Sequence, residues 1–186
     1  AKVSSPEIEG LDARLKETKT ALAALPKNDK ESPSNGYHSG IESKPDVTKW
    51  AQVDLVQNFD LEEIRLIPAR PTDFPDTPGF GFPKRFRVEI ADEDQFKQPR
   101  VIGDYTGADV PNPGDKAFVI PAKKHRGRFV RVTATRLWER TSDYVFALAE
   151  LQIIAGTNNV AQWSVASALD SIEAGRWGKA KLVDAY

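Results

Sequence analysis

The chain has 186 residues, 40% of them hydrophobic and 28% charged, with a formal net charge of −1 and no cysteine. That length holds one ordinary domain with extras, or two small domains, and the composition is that of a soluble globular chain. The near-balance of 26 basic against 27 acidic residues leaves no basic stripe for nucleic acid, and no apolar run approaches the roughly 20 residues of a membrane span. Without cysteine, disulfides, zinc–thiolate sites and thiol catalysis are excluded together.

The first predicted element is a helix over 4–25, within a segment spanning 1–26. Ser4 or Ser5 can cap it, Pro6 suits a first turn, and Glu7 stands three residues after Ser4 as in a capping box. Ile8, Leu11, Leu15, Leu22 and Leu25 follow at heptad spacing, with Thr18 in the one polar slot, and Pro26 ends the run. Fewer than three heptads make a short coiled coil, so this helix needs a partner surface, on its own domain or another. Residues 27–44 are rich in Asn, Ser, Pro, Gly and Lys and read as a linker, and His38 within them could join a site but reads as solvated.

Residues 45–155 read as all-β. The predicted strands are "WAQVDLV" with Val53 and Leu55 facing in, "EEIRLIPAR" with Ile64 and Leu66, and "KRFRVEIA" with Phe86, Val88 and Ile90. "KAFVIPA", "GRFVRVTATRLW" and "YVFALAELQII" follow, separated by Pro-, Gly- and Asp-rich turns. Such a series, with no helical pattern between its members, predicts an antiparallel sandwich or barrel. The strand over 145–154 is apolar on both faces as far as Leu151, which predicts a central place in its sheet. Residues 156–186 restart after a Gly-Asn-Asn turn and are too few to bury a core of their own.

The ordered set "KWAQVDL", "LEEIRLIPAR", "GFPKRFRVEI", "GRFVRVTATRL" and "ALAELQI" resembles a discoidin-type module, the coagulation-factor five/eight type C family of the galactose-binding-like fold. The resemblance covers roughly residues 37–155 and implies a jelly-roll β-sandwich, so the expected fold is mainly β, with the N-terminal α-helix read above added to that sandwich. The stretch from "NNVAQWSVAS" to "WGKAKLVDAY" is similar to the opening of a second such module, with Ala185 where a Gly is usual. "GYHSGIESKPDVTKW" and "DSIEAGRWGKAKLVDAY" are similar to segments of large exported bacterial proteins, including α-L-rhamnosidase-like glycoside hydrolases. The resemblance therefore implies a piece of a longer, exported polysaccharide-degrading protein, and the start at Ala1 without a Met suits a mature or trimmed form.

Modules of this type bind ligands in loops at one end of the sandwich, galactose-like sugars in the carbohydrate-binding members. A sugar site needs an aromatic face for the apolar side of the ring, beside planar donors and acceptors for the hydroxyls. Arg136, Trp138, Glu139, Arg140 and Tyr144 have that chemistry, and Arg70, Phe74, Phe80 and Phe82 lie in a second long loop that could face them. Ligand-binding residues are thus expected at Arg70, Arg136, Trp138, Arg140 and Tyr144. The plainer alternative is that Trp138 and the phenylalanines plug the sandwich end while Arg140 pairs locally with Glu139 or Asp143. The same resemblance implies a structural Ca²⁺ held through Asp46, Thr48, Ala149 and Glu150, although the loop is shortened here to "PDVTKW". The acidic run Asp92–Asp94 lacks the spacing and Gly of a calcium loop and reads as a solvated turn.

No G-x-S-x-G, H-E-x-x-H or P-loop occurs, and "GFGF" (79–82) runs into Pro83, not into a helix that could cradle phosphate. His38 and His125 stand far apart in sequence. The expectation is a chain that is not itself an enzyme: a carbohydrate-binding module whose partners are a glycan and the other domains of its parent protein. The rival is a structural spacer that binds no sugar.

Overall fold

The computed structural model describes residues 34–74 and 76–185, so the predicted N-terminal helix lies outside the described residues. The strands in chain order are β1 (Tyr37–His38), β2 (Lys49–Asp60), β3 (Glu63–Ile67), β4 (Arg85–Ala91), β5 (Arg100–Tyr105), β6 (Phe118–Pro121) and β7 (Arg126–Arg136). Then come β8 (Trp138–Glu139), β9 (Tyr144–Val145), β10 (Ala147–Leu148), β11 (Glu150–Ala155), β12 (Asn158–Asn159) and β13 (Val165–Ala168), and a 3₁₀ turn at Lys179–Val183. The chain is mainly β, as its alternating segments predict.

Five strands form one antiparallel sheet in the order β13-β2-β7-β4-β5, and four form a second in the order β12-β11-β3-β6. Period-two alternation decides which side chains meet between them. Ala51, Val53 and Leu55 of β2, Phe86, Val88 and Ile90 of β4, and Val130, Val132 and Ala134 of β7 turn inward from the larger sheet. Ile64 and Leu66 of β3, Ile120 of β6, and Leu151 and Ile153 of β11 meet them from the smaller one. Two sheets sharing one core make a sandwich, and each fully buried aliphatic or aromatic side chain contributes about 1.5–3 kcal/mol to holding it.

The domain boundaries drawn on the sequence shift. Residues 33–186 form one unit, within which part of the expected linker and all the described part of the expected second module belong to the sandwich. Tyr37 is fully buried in the main core, and β1 pairs with β10 through Tyr37↔Leu148 and His38↔Ala147. At the other extreme β13 pairs with β2 from Val165↔Asp54 to Ala168↔Ala51, and Leu182 and Val183 enter the same core. The physical reason is coverage: without β13 the long β2 would be an unpaired edge. The strand predicted over 145–154 is divided into β9, β10 and β11, of which β11 lies between β12 and β3. β5 escapes sequence reading because it is an edge strand whose residues are all exposed or only half-buried, so it has no apolar face to betray it.

Candidate functional site

Five rings gather beside β1, β8 and β10. Trp138 follows β7 after Leu137 and opens the β8–β9 hairpin, where it pairs with Val145 across the ladder. The hairpin tip is locked by Arg140, whose backbone N–H donates to the Asp143 carbonyl at 2.8 Å while its guanidinium donates to both carboxylate oxygens of Asp143 at 2.9 and 2.5 Å. That pairing holds the Asp143 carboxyl below its ordinary range and is the local partnership foreseen for Arg140. Half-buried Trp138 then packs on Phe80, centroid to centroid 5.2 Å.

Phe80 reaches this spot because of the glycines on either side of it. Gly79 and Gly81 both hold a left-handed backbone, with φ of 74° and 69°. A Cβ on Gly81 would lie 2.5 Å from that of Ala147, and one on Gly79 would lie 1.9 Å from Asn112 Oδ1, so only glycine fits at either position. The turns send Phe82 into the main core against Phe86, 5.7 Å away, while Phe80 enters a smaller cluster with Ala69, Val145 and Ala147. Phe74, 58% exposed, stacks on Phe80 at 6.3 Å with an interplanar angle of 14°.

Two members of the cluster were not among the residues expected from the sequence. Trp177 comes from the C-terminal stretch, where Gly36 bridges to it and the Gly178 N–H donates to the Gly36 carbonyl at 3.0 Å. Its ring lies 5.7 Å from Phe80 and 5.0 Å, edge to face, from His38. His38, expected to be solvated, is only 3% exposed and lies 5.7 Å from Phe80. Its Nδ1 is 2.6 Å from the Ser39 carbonyl oxygen, which can only accept, so Nδ1 carries the proton and the neutral ring keeps its lone pair on Nε2. Burial pushes the imidazole pKa below its ordinary value; the Ser39 carbonyl opposes this, the Arg140 charge adds to it, and Asp143 and Asp170 oppose it.

The other expected ligand-binding residues fall around this group, not within it. Tyr144 sits half-buried in β9, its backbone exchanging hydrogen bonds with Glu42 at 2.9 Å in each direction. Arg136 joins a separate charged group, donating to Asp46 Oδ1 at 3.2 Å with Asp109 at 3.7 Å. Arg70 donates to Asp115 at 3.1 Å on the exposed side of its loop. What converges is four aromatic rings, one neutral imidazole and one bidentate Arg–Asp pair.

The calcium set is not brought together in the same way. Asp46 is exposed and spent on Arg136, Thr48 is exposed, and the buried Glu150 accepts a hydrogen bond from Gln152 Nε2 at 2.6 Å. Among the described residues no group of three or more His, Asp or Glu side chains gathers to hold a metal. A calcium ion takes six to eight oxygens, several of them anionic, and the expected set supplies two carboxylates, Asp46 and Glu150.

No protein-family profile matches the chain, and no curated protein matches it. Among solved structures the chain is similar to "CpGH89CBM32-6 produced by Clostridium perfringens", at 18% identity and a TM-score of 0.37. The match covers 55% of this chain and 65%, just under two thirds, of that one. So low a score adds nothing to the geometry, and the functional reading rests on the side chains.

Proposed function

We propose that this chain is a non-catalytic carbohydrate-binding module. The observation that carries the reading is the convergence of Phe74, Phe80, Trp138 and Trp177 around His38, next to the Arg140–Asp143 pair. Half-buried indoles held by a buried Phe offer rigid apolar faces to the C–H side of a pyranose. Arg140 and Asp143 supply donors and acceptors for hydroxyl groups at the rim, and the buried His38 ring packs behind the indoles. The sequence resemblance to discoidin-type modules agrees with a jelly-roll sandwich working as part of a larger exported polysaccharide-degrading protein. In that setting a weak site gains by holding its neighbour near a polymer, through effective concentration.

The spacer reading is supported by the tightness of the packing, since Phe80 is only 4% exposed and serves equally as an end plug. A glycan array probed with the wild-type chain, Trp138→Ala and Trp177→Ala separates the two. Binding that is lost in both variants supports the module. A folded wild-type chain silent across the array supports the spacer.

A further inference from the structure

The start of β2 carries a cation of its own. Lys49, the first residue of β2, has a side chain only 5% exposed, and its Nζ is ion-paired with both Glu42 and Asp170. Burial works against the ammonium, but the hydrogen bonds and charges of Asp170 and Glu42 outweigh it and hold the pKa above the ordinary lysine value. Asp170 is the hub of the group. Its Oδ1 accepts the Gly40 N–H at 2.8 Å, and its carbonyl accepts the Tyr37 hydroxyl at 3.2 Å. The chain on either side of it is tied in as well: Leu169 N–H donates to the Trp50 carbonyl at 3.0 Å and Ile172 N–H to the His38 carbonyl at 2.9 Å.

We infer that the Lys49 ammonium is the structural cation of this sandwich, joining the Tyr37–Glu42 segment, the start of β2 and the C-terminal segment without any divalent metal. Two neighbouring segments and one distant in sequence meet at one buried positive charge, with Glu42 seven residues before Lys49 and Asp170 well over a hundred after it. An ammonium has three donors and a single charge, which suits two carboxylates, whereas a dication there would have to displace a covalently held ion. Removing a carboxylate leaves the buried ammonium with one partner, and removing Lys49 leaves two partly exposed carboxylates facing each other without a cation, so each partner should matter individually.

The inference does not depend on sugar binding, and its test uses no sugar. Thermal melts of the wild-type chain are recorded with excess calcium chloride and with EDTA, beside Lys49→Met and Asp170→Asn, and amide hydrogen exchange is read at Leu169 and Ile172. The expected result is a wild-type midpoint indifferent to either additive and a midpoint lowered by about 10 °C in Lys49→Met. Asp170→Asn, which keeps its shape and removes one charge, should melt at an intermediate temperature and lose exchange protection at both amides. It also carries the test if Lys49→Met does not fold. A wild-type midpoint raised by calcium or lowered by EDTA overturns the inference, as does either variant melting with the wild type.

Discussion

The two ends of the sandwich hold tryptophan in opposite ways. Where β7 ends and β2 begins, Trp138 and Trp177 are half-buried on a shared phenylalanine, with a histidine and a locked Arg–Asp pair beside them. Toward the other end of β2, Trp163 is 70% exposed and Val56 is 65% exposed, on backbones with φ of 61° and 70°. Val165, 63% exposed, pairs with Asp54 between them. Exposed apolar side chains stand at both ends, Phe74 at the first and Trp163, Val56 and Val165 at the second, yet polar groups converge on rings at the first. Exposure alone therefore marks sticky surface, while mutual support among rings, with hydrogen-bonding groups at their rim, is the feature on which the proposed ligand site rests.

The largest expected difference between the ends comes from Phe80→Ala. Deleting a buried Phe should cost about 3–5 kcal/mol in a denaturant melt and loosen every ring around it. If its loss proves as mild as that of a surface residue, the cluster is not a packed unit and the contrast fails. Next comes binding: Trp138→Ala or Trp177→Ala should weaken retention on any glycan the chain recognises by about tenfold or more, while Trp163→Ala leaves it unchanged. Retention that follows Trp163 would move the site to the opposite end.

A smaller effect lies in the pH dependence. The depressed pKa of buried His38 means that the unfolded chain takes up its proton first as the solution is acidified. Its contribution to stability is intact above about pH 7 and is lost as pH falls through the ordinary imidazole value of about 6.5 toward the folded one. The carboxylates held low by arginine partners, Asp54 and Asp143, act only below about pH 5, so the window above belongs to the imidazole. His38→Gln should flatten the melting temperature between pH 7 and 5; a wild-type curve already flat there would place the ring in contact with water. The smallest effect is expected for Trp163→Ser, whose stability should stay within about 0.5 kcal/mol of wild type.

How much of this could be read in the sequence follows from the range of the interactions. Alternation is local, so Val130, Val132 and Ala134, or Phe86, Val88 and Ile90, announced both their strand and their inward face. Phe74 and Phe80 were visible as aromatics in a turn-rich loop, Trp138 as the aromatic that ends its strand, and Asp143 as one of two local partners for Arg140, three residues away. His38 and Trp177 were hidden because each earns its place from a contact across nearly the whole module. Polar, Gly-rich surroundings around His38 looked like linker, and only the β1–β10 pairing shows otherwise. The signal that could have found them was the unexplained aromatic and histidine chemistry just outside the assumed boundaries.

The place of β13 on the β2 edge also decides where this module can be cut. A chain ended at residue 155, where the strand-rich stretch stops, would lack the partner of β2 from Ala51 to Asp54, together with Leu182 and Val183 from the core. It would also lose Trp177 from the aromatic cluster and Asp170 from the buried charge centre. Such a truncation offers a bare strand edge to other chains, so a soluble recombinant module has to run at least to Val183.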